Sequence, residues 1–289
     1  MSEPTPELRL SDALVAKAVA DALAEDLGLA GDITTTATVP ADTRASASLG
    51  ARKAGVVAGL QLFEAAFRAL DPDVAIDIAV PDGSPVTAGA QIAHVRGNAR
   101  ALLTAERVAL NFVGHMSGIA TLTHAFVDKV TGTRAHIIDT RKTTPGLRAF
   151  EKLAVRAGGG TNHRFGLFDA ILIKDNHIVA AGGIGPAMQR ARALAGHMVK
   201  IEIEVTTLAE LDEAMPFAPD AVLLDNMDTA TLTAAVEKVA QRALTEASGG
   251  VNLDTVRAIA ETGVDLISVG ALTHSAPTLD VGLDFEPLA

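Results

Sequence analysis

From residue 136 onward, short apolar runs alternate with stretches whose apolar residues recur at helical spacing. The runs predict buried strands, and the stretches between them, such as Gly185–Leu194 and Thr229–Val239, predict helices. Strands that alternate with helices of this size form parallel sheets with βα connections. Six or more such units in series favour a closed or nearly closed barrel over an open doubly wound sheet. The predicted strands span residues 136–139, 170–174, 200–205, 221–225, 243–248 and 265–270.

The N-terminal part of the chain has a different pattern. Apolar residues at helical spacing predict helices over residues 11–27, 60–70 and 100–130. Alternating apolar and polar residues predict strands between residues 44 and 60 and over 74–80. These helices and short strands indicate a small mixed domain that precedes the barrel.

We therefore expect an α/β protein of two domains. An N-terminal α/β sandwich domain is predicted over residues 1–115, and a C-terminal α/β barrel, which could be open or incomplete, over residues 116–275. Residues 276–289 lack the barrel rhythm and could return to the first domain.

Composition narrows the class of protein. The chain has 289 residues, no cysteine and a formal net charge of −11. The absence of cysteine excludes disulfides and thiolate zinc sites, and the overall acidity argues against a nucleic-acid-binding surface. No signal peptide and no apolar run of membrane-spanning length is apparent, so we expect a soluble cytoplasmic protein without membrane contact.

One segment departs from this acidity. Between Arg134 and Lys174 the chain carries eight Lys or Arg residues against three acids, a local net charge of +5. Cations gathered on an acidic protein are typical of a site for an anionic small molecule, which Arg and Lys side chains hold by charge-assisted hydrogen bonds. The segment therefore predicts an enzyme site for a carboxylate, a phosphate or both.

The predicted strands also end in polar residues, where barrel enzymes carry their chemistry. Glu204 and Asp225 offer oxygen ligands for Mg²⁺. Ser248, Gly249 and Gly250, placed before a predicted helix, offer backbone N–H groups to a phosphate, and Gly270 at the next strand end could complete that site. The groups expected to hold carboxylates are Arg141, Lys142, His163, Arg164 and Lys174.

Several motifs together resemble one enzyme family. They include GDITT (31–35), ARKAGVVAG (51–59), ERVALNFVGHMSGIAT (106–121), DTRKTTPGLRAFEKLAVRAGGGTNHRFGLFDAILIKDNH (139–177), EIEV (202–205), LLDNM (223–227), EASGGV (246–251) and SVGALTHS (268–275). In this order and over nearly the whole chain, they are similar to the quinolinate phosphoribosyltransferases. The resemblance implies Mg²⁺-dependent transfer of phosphoribose from 5-phosphoribosyl-1-pyrophosphate to quinolinate, with loss of CO₂, in NAD synthesis.

The resemblance also implies residue roles. Lys142, Lys174, Glu204 and Asp225 would be catalytic, and Glu204 and Asp225 would also hold the metal. It further implies a homodimer, or a higher oligomer, in which the N-terminal domain of one subunit closes the barrel of the other. Arg107 would reach the site from the partner subunit. The substrate-binding set would be Arg107, Thr140, Arg141, Lys142, His163, Arg164, Lys174, Ser248, Gly249, Gly250, Gly270 and His274.

Three alternatives stay open at the level of sequence. A related phosphoribosyltransferase could act on a different acceptor, although the dense cationic set counts against an acceptor with one carboxylate. Lys174 at a strand end could be the Schiff-base amine of a class I aldolase. A catalytically silent subunit that binds phosphoribosyl ligands is the third. Separately, Arg148, Lys152 and Arg156 recur every four residues and predict one exposed helix face, or a dimer contact on it, and not contact with substrate.

Overall fold

The computed structural model describes residues 9–287. Its helices are α1 Asp12–Leu27, α2 Ile33–Thr38, α3 Leu60–Leu70, α4 Ala99–Val130, α5 Arg148–Ala157, α6 Asp175–Ala181, α7 Ile184–Leu194, α8 Leu208–Ala214, α9 Thr229–Val239, α10 Val256–Glu261 and α11 Ala271–His274, with a 3₁₀ turn at Met215–Phe217. Its strands are β1 Arg44–Ala51, β2 Gly55–Val56, β3 Ala75–Ile78, β4 Pro85–Val86, β5 Gln91–Asn98, β6 His136–Ile138, β7 Ile171–Ile173, β8 Ile201–Val205, β9 Ala221–Asp225, β10 Leu244–Ser248, β11 Leu266–Ser268 and β12 Val281–Pro287.

The chain divides into two compact units. The first takes the chain up to His124, then Ala149–Gly159 and the residues from Ser275 onward; the second takes Ala125–Arg148 and Gly160–His274. The division falls inside α4, which continues as one helix of 32 residues. No loop therefore marks a boundary near residue 115, where the sequence analysis placed it.

An antiparallel sheet in the order β12-β1-β5-β3 forms the first unit together with α1 and α3. The C-terminal strand β12 pairs along the whole of β1, with Leu49 opposite Leu283. Phe63 and Phe67 of α3 pack edge to face at 4.9 Å and are fully buried. The tail of the chain is thus part of the first unit's sheet, although no sequence rhythm identified it as a strand.

Most of α5 packs in this same unit. Phe150 is buried and its ring lies 6.4 Å from that of Phe112 on α4. The prediction that Arg148, Lys152 and Arg156 form one exposed face is wrong for Lys152, which is fully buried. Charge periodicity failed here because it does not report tertiary packing: Glu151 and Lys152 are both buried, whereas Arg156 is exposed.

Six parallel strands form the second unit, in the order β6-β11-β10-β9-β8-β7. The first strand of the series, β6, pairs with the last, β11, so the sheet curls round toward closure. The consecutive strands β6 and β7 are its two edges, and Thr161 continues the sheet beside Ile138 through a single parallel bridge. The predicted fold class, an α/β sandwich domain followed by an open α/β barrel, is confirmed.

The helices that follow β8 and β9 begin where the sequence supplies caps. Thr207 and Glu210 form a reciprocal capping box at α8, and the Asp228 carboxylate accepts the Thr231 N–H at 2.7 Å at α9. Such caps satisfy backbone N–H groups that lack a partner in the first turn. They fix where each loop ends and therefore where the side chains after each strand lie. Over residues 9–287, no helix is long and apolar enough to cross a membrane.

Gly118 shows how closely the C-terminal segment approaches α4. A Cβ atom at this position would lie 2.1 Å from the carbonyl oxygen of Pro277, a backbone atom that cannot rotate away. In an open helix, alanine would be more favourable than glycine by about 1 kcal/mol. Here we expect Gly118→Ala to lower the free energy of unfolding by about 1–3 kcal/mol, because overpacking outweighs helix propensity.

Urea denaturation of the wild type and the variant measures this change. Gly196→Ala is the matched control, since no atom lies within 4 Å of its added Cβ. A Gly118→Ala protein as stable as the wild type would contradict the close packing of the C-terminal segment on α4.

Candidate active site

The carboxyl ends of the parallel strands bring most of the predicted site residues to one edge of the sheet. Thr140, Arg141 and Lys142 follow β6, and Lys174 follows β7 directly. Glu204 lies near the end of β8, and each of the next three strands also carries predicted residues at its end. These are Asp225 at the end of β9, Ser248, Gly249 and Gly250 at the end of β10, and Gly270 beyond β11.

The loop after β6 lies against the turn that precedes α11. The Thr273 hydroxyl donates a hydrogen bond to the Lys142 carbonyl at 2.7 Å. A Cβ at Gly270 would lie 3.1 Å from Lys142 Cδ and 3.3 Å from His274 Nε2. The Thr140 hydroxyl also accepts the Lys142 N–H at 3.0 Å. These contacts therefore bring four predicted residues close together: Thr140, Lys142, Gly270 and His274.

Lys174 and Glu204 form an ion pair between neighbouring strands β7 and β8. The Glu204 side chain is 9% exposed, whereas Lys174 is 46% exposed and extends toward solvent. On β9, Asp225 is partly exposed and its carboxylate accepts a hydrogen bond from the Asn226 side chain at 2.6 Å. The two acids thus sit on adjacent strands beside a lysine ammonium.

The loop after β10 requires glycine at its first position. Gly249 has a φ of +99°, and a Cβ there would lie 2.1 Å from Asn226 Oδ1. Both Gly249 and Gly250 are exposed, so their backbone can approach a ligand closely. The predicted helix follows but begins later than expected: a turn over residues 253–255, capped by the Asn252 side chain, precedes α10. The glycine backbone alone, without a helix N-terminus, faces this edge.

The Arg164 side chain is fixed in place, but one of its hydrogen-bond donors has no partner among the described residues. Its Nη1 donates to the Ala170 carbonyl at 3.0 Å, while its buried Nε has no hydrogen-bond partner among the described residues. Burial, and then the positive charge of Arg141, lower the pKa of the Arg164 guanidinium. Two guanidinium groups that repel each other, one with a spare buried donor, favour the binding of an anion between them.

The segment that carries Arg164 is anchored by Asp139, which is fully buried just after β6. One carboxylate oxygen of Asp139 accepts the His163 N–H at 2.9 Å, and the other accepts the Asn162 side-chain amide at 2.7 Å. Asp139 therefore ties the loop at residues 162–163 to the end of β6. The sequence analysis quoted Asp139 inside a motif but gave it no role.

His163 lies beneath this edge rather than at its rim. Its ring Nδ1 accepts the Arg164 N–H at 2.7 Å, and its Nε2 lies 3.1 Å from Glu202 and 3.5 Å from Glu246. Among the described residues, these three side chains form a group whose spacing could suit a metal ion; it does not include the predicted metal ligands Glu204 and Asp225.

Glu246 was missed by the sequence analysis. It occupies the centre of β10 and is 1% exposed. Burial, followed by the nearby charge of Glu202, raises the pKa of Glu246 well above its ordinary range. An acid at the centre of a buried strand, two residues before a functional strand end, is the signal that could have identified it.

Arg107 is not part of the strand-end group. It lies on α4 in the first unit and its side chain is exposed.

The loop after Arg164 forms a turn with exposed apolar side chains. Asp169 accepts the N–H groups of Phe165 and Gly166, and this turn leaves Phe168 85% exposed. Leu167 beside it is also exposed. A rigid turn thus presents apolar side chains to solvent.

Comparison with protein families gives two matches that together span most of the chain. The model of the quinolinate phosphoribosyl transferase N-terminal domain matches residues 32–117, and that of the C-terminal domain matches residues 119–284.

Individual relatives agree with these models. A nicotinate-nucleotide pyrophosphorylase [carboxylating] from Mycobacterium leprae is 48% identical over 91% of this chain and 94% of its own length. A probable nicotinate-nucleotide pyrophosphorylase [carboxylating] from Bacillus subtilis is 44% identical over 90% of this chain and 89% of its own length. The crystal structure of NadC from Streptococcus pyogenes superposes with a TM-score of 0.94 at 40% identity, covering 97% of this chain and 99% of that one.

Proposed function

This chain belongs to the quinolinate phosphoribosyltransferase family, and from that premise we propose how its residues carry out the family's reaction. The enzyme transfers the phosphoribosyl group of 5-phosphoribosyl-1-pyrophosphate to quinolinate and releases nicotinate mononucleotide, pyrophosphate and CO₂. The proposal concerns which residues bind each part of the two substrates, the metal, and the subunit arrangement. The cytoplasmic location stays a prediction.

Arg141, Lys142, Arg164 and Lys174 hold the two carboxylates of quinolinate in this proposal, with Thr140 beside them. The observation that carries it is the spare donor on Arg164, whose buried Nε lacks a partner and whose positive charge is opposed by Arg141. A di-acid satisfies both guanidinium groups, since each carboxylate can accept two parallel hydrogen bonds. A mono-acid would leave one of them without a carboxylate of the substrate.

The phosphoribosyl substrate occupies the opposite part of the strand-end group. The exposed backbone of Gly249 and Gly250, with Ser248, receives the ribose phosphate through N–H groups. Gly270 and His274 complete this pocket, because the absence of a side chain at Gly270 leaves room beside Lys142. Glu204 and Asp225 face the ribose.

Mg²⁺ fits the donors that β8 and β9 supply. Glu204 and Asp225 offer carboxylate oxygens from adjacent strands, and Mg²⁺ is commonly held by one or two carboxylates together with substrate phosphates. When bound, the ion would neutralise charge on the pyrophosphate as it leaves. The ion pair between Lys174 and Glu204 orients the Glu204 carboxylate for this role.

In this reaction the protein chiefly orients the substrates and stabilises the charge that develops on them. The pyridine nitrogen attacks the ribose carbon as the bond to pyrophosphate breaks, and positive charge develops on the ribose. The carboxylates of Glu204 and Asp225 stabilise that charge. The alkylated nitrogen then stabilises the electron pair left at the neighbouring ring carbon, so the adjacent carboxylate departs as CO₂ and a proton takes its place. Lys142 and Lys174 orient the di-acid.

The aldolase alternative is not supported by the geometry at Lys174. A Schiff base requires a neutral amine, whereas the Lys174 ammonium is paired with the buried Glu204 carboxylate. The structure offers no observation that favours this second function.

A coupled assay tests the proposed chemistry. Purified protein is incubated with quinolinate, 5-phosphoribosyl-1-pyrophosphate and Mg²⁺, and CO₂ and nicotinate mononucleotide are measured together. We expect equal amounts of the two products, no product after Mg²⁺ is removed by chelation, and none with nicotinate as the acceptor, because nicotinate lacks the second carboxylate. Nucleotide formed from nicotinate without CO₂ would contradict the assignment of the cationic group to a di-acid, and full activity in excess chelator would contradict the role of Mg²⁺.

We further propose a homodimer in which Arg107 enters the barrel site of the partner subunit. Two observations support it. Arg107 is exposed on α4, and the turn at residues 165–169 presents Leu167 and Phe168 to solvent. Exposed apolar side chains grouped on a rigid turn are typical of protein interfaces.

Mixing two inactive variants tests whether Arg107 acts across subunits. Arg107→Ala and Lys142→Ala damage different parts of one composite site. After the variants are mixed under dissociating conditions and reassociated, random pairing gives heterodimers with one intact site each, so about a quarter of all sites should regain activity. No recovery in a mixture that light scattering shows to contain dimers would contradict action across subunits; the unmixed variants are the controls.

A further inference from the structure

His163 uses both of its ring nitrogens within the protein. Its Nδ1 accepts the backbone N–H of Arg164 at 2.7 Å, so Nδ1 carries no proton. The remaining ring proton then lies on Nε2, which faces the carboxylate of Glu202 at 3.1 Å and that of Glu246 at 3.5 Å. The imidazole is therefore neutral in this arrangement, which differs from the carboxylate-binding role that the family resemblance implies for it.

The carboxyl groups of Glu202 and Glu246 lie together beneath His163. Each has one buried oxygen, Oε1, that receives no hydrogen bond from the described residues. Oxygen atoms of the two carboxyl groups lie within 4.8 Å of each other. Burial, followed by the charge of Glu202, raises the pKa of Glu246 well above its ordinary range. A proton donated from Glu246 to Glu202 would supply both buried groups with the hydrogen bond that they lack.

We propose that Glu246 is a positioning residue for quinolinate recognition: with Glu202 it fixes the neutral His163 ring, which in turn holds Arg164 against the substrate. This inference rests on the proposed function of Arg164. It extends the site to a side chain on β10 that does not touch the substrate.

The connection from His163 to Arg164 is short. The His163 backbone is fixed by Asp139, and its ring Nδ1 fixes the next N–H, that of Arg164. The Arg164 side chain then has only to reach the Ala170 carbonyl to place its Nε in a buried position. If the ring rotated away from Glu202 and Glu246, the hydrogen bond to the Arg164 N–H would break and the guanidinium would lose its fixed direction.

The arrangement also sets the charge below the substrate. In the proposed arrangement Glu202 carries the negative charge that faces His163 Nε2. The charges of Asp169 and then of Glu202 raise the pKa of Arg164 against the effect of burial. A protonated Glu246 adds no second negative charge. The acids under the carboxylate site therefore stabilise its cations without repelling the incoming di-acid.

The tautomer of His163 can be observed directly. Long-range proton–nitrogen correlation spectra of the ¹⁵N-labelled protein at pH 7 distinguish protonated from unprotonated ring nitrogens, and the His163 signals are assigned by their absence in His163→Gln. We expect a proton on Nε2 and none on Nδ1. A doubly protonated ring, a proton on Nδ1, or an Nε2 without a proton, as in metal coordination by His163, Glu202 and Glu246, would overturn the proposal.

Kinetics separate positioning from a merely structural role. Glu246→Leu removes the proton donor with little change in size, and we expect the KM for quinolinate to rise about tenfold or more while the KM for 5-phosphoribosyl-1-pyrophosphate changes by less than about threefold. Glu246→Gln keeps a neutral donor at the same place and should restore the KM for quinolinate to within about threefold of the wild-type value. Equal damage from the two substitutions, or equal effects on both substrates, would overturn the proposal.

The two proposals can fail separately. A wild-type protein that forms no nicotinate mononucleotide would defeat the proposed function, whatever the tautomer of His163. An active wild type with a doubly protonated His163 would defeat only the role given to Glu246. If Glu246→Leu does not fold, the spectra of the wild-type protein and the kinetics of Glu246→Gln still decide.

Discussion

The site depends on the balance between cations that follow β6 and β7 and carboxylates that β8 and β10 carry beneath them. Guanidinium and ammonium groups that lie close together repel one another. Without negative charges beneath them, these side chains would turn away from the site into solvent. Glu204 pairs with Lys174, and Glu202 lies near Arg164. Burial raises the pKa of Glu246, and in the proposed arrangement this residue keeps its proton. The negative charge that remains on Glu202 and Glu204 then holds the cations without cancelling their attraction for an anion.

The parallel sheet makes this balance possible. All six strands run in one direction, so residues that are far apart in sequence end at the same edge. Cations come from the long connection between the two edge strands, acids from the strands in the middle, and glycine backbone from the last turns. Different loops of the barrel therefore supply the groups for different parts of the reaction. The loops can differ in chemistry because the strands fix their relative positions.

Much of this arrangement could be predicted from the sequence, because short apolar runs and period-3.6 patterns report burial directly. The six barrel strands, α3 and α9 lie close to or at the predicted residues. Lys152 and the start of α10 could not be predicted from local pattern: tertiary packing buries an α5 lysine, and the Asn252 side chain stabilises a turn where a helix was expected. The strand β12 was also missed, because its partner β1 is more than 200 residues away in sequence and leaves no local trace.

Among the site residues, the strand-end groups were accessible to sequence reasoning and the layer beneath them was not. Lys174, Asp225 and Gly249 lie at or just beyond the ends of recognisable strands, whereas the contacts of His163 with Glu202 and Glu246 depend on three segments meeting inside the barrel. Sequence assigns a histidine among cations to substrate binding, since it cannot show which atoms its ring nitrogens contact. The geometry assigns it to the support of Arg164.

The most direct test of this account is to measure binding of quinolinate and of nicotinate to the wild type and to Arg164→Met by calorimetry, with Arg257→Met as a control for loss of an arginine elsewhere in the second unit. If Arg164 recognises the second carboxylate, its loss weakens quinolinate binding about tenfold or more and nicotinate binding by less than about threefold. Equal weakening for both ligands, or none for quinolinate, would show that the cations at this edge do not distinguish a di-acid.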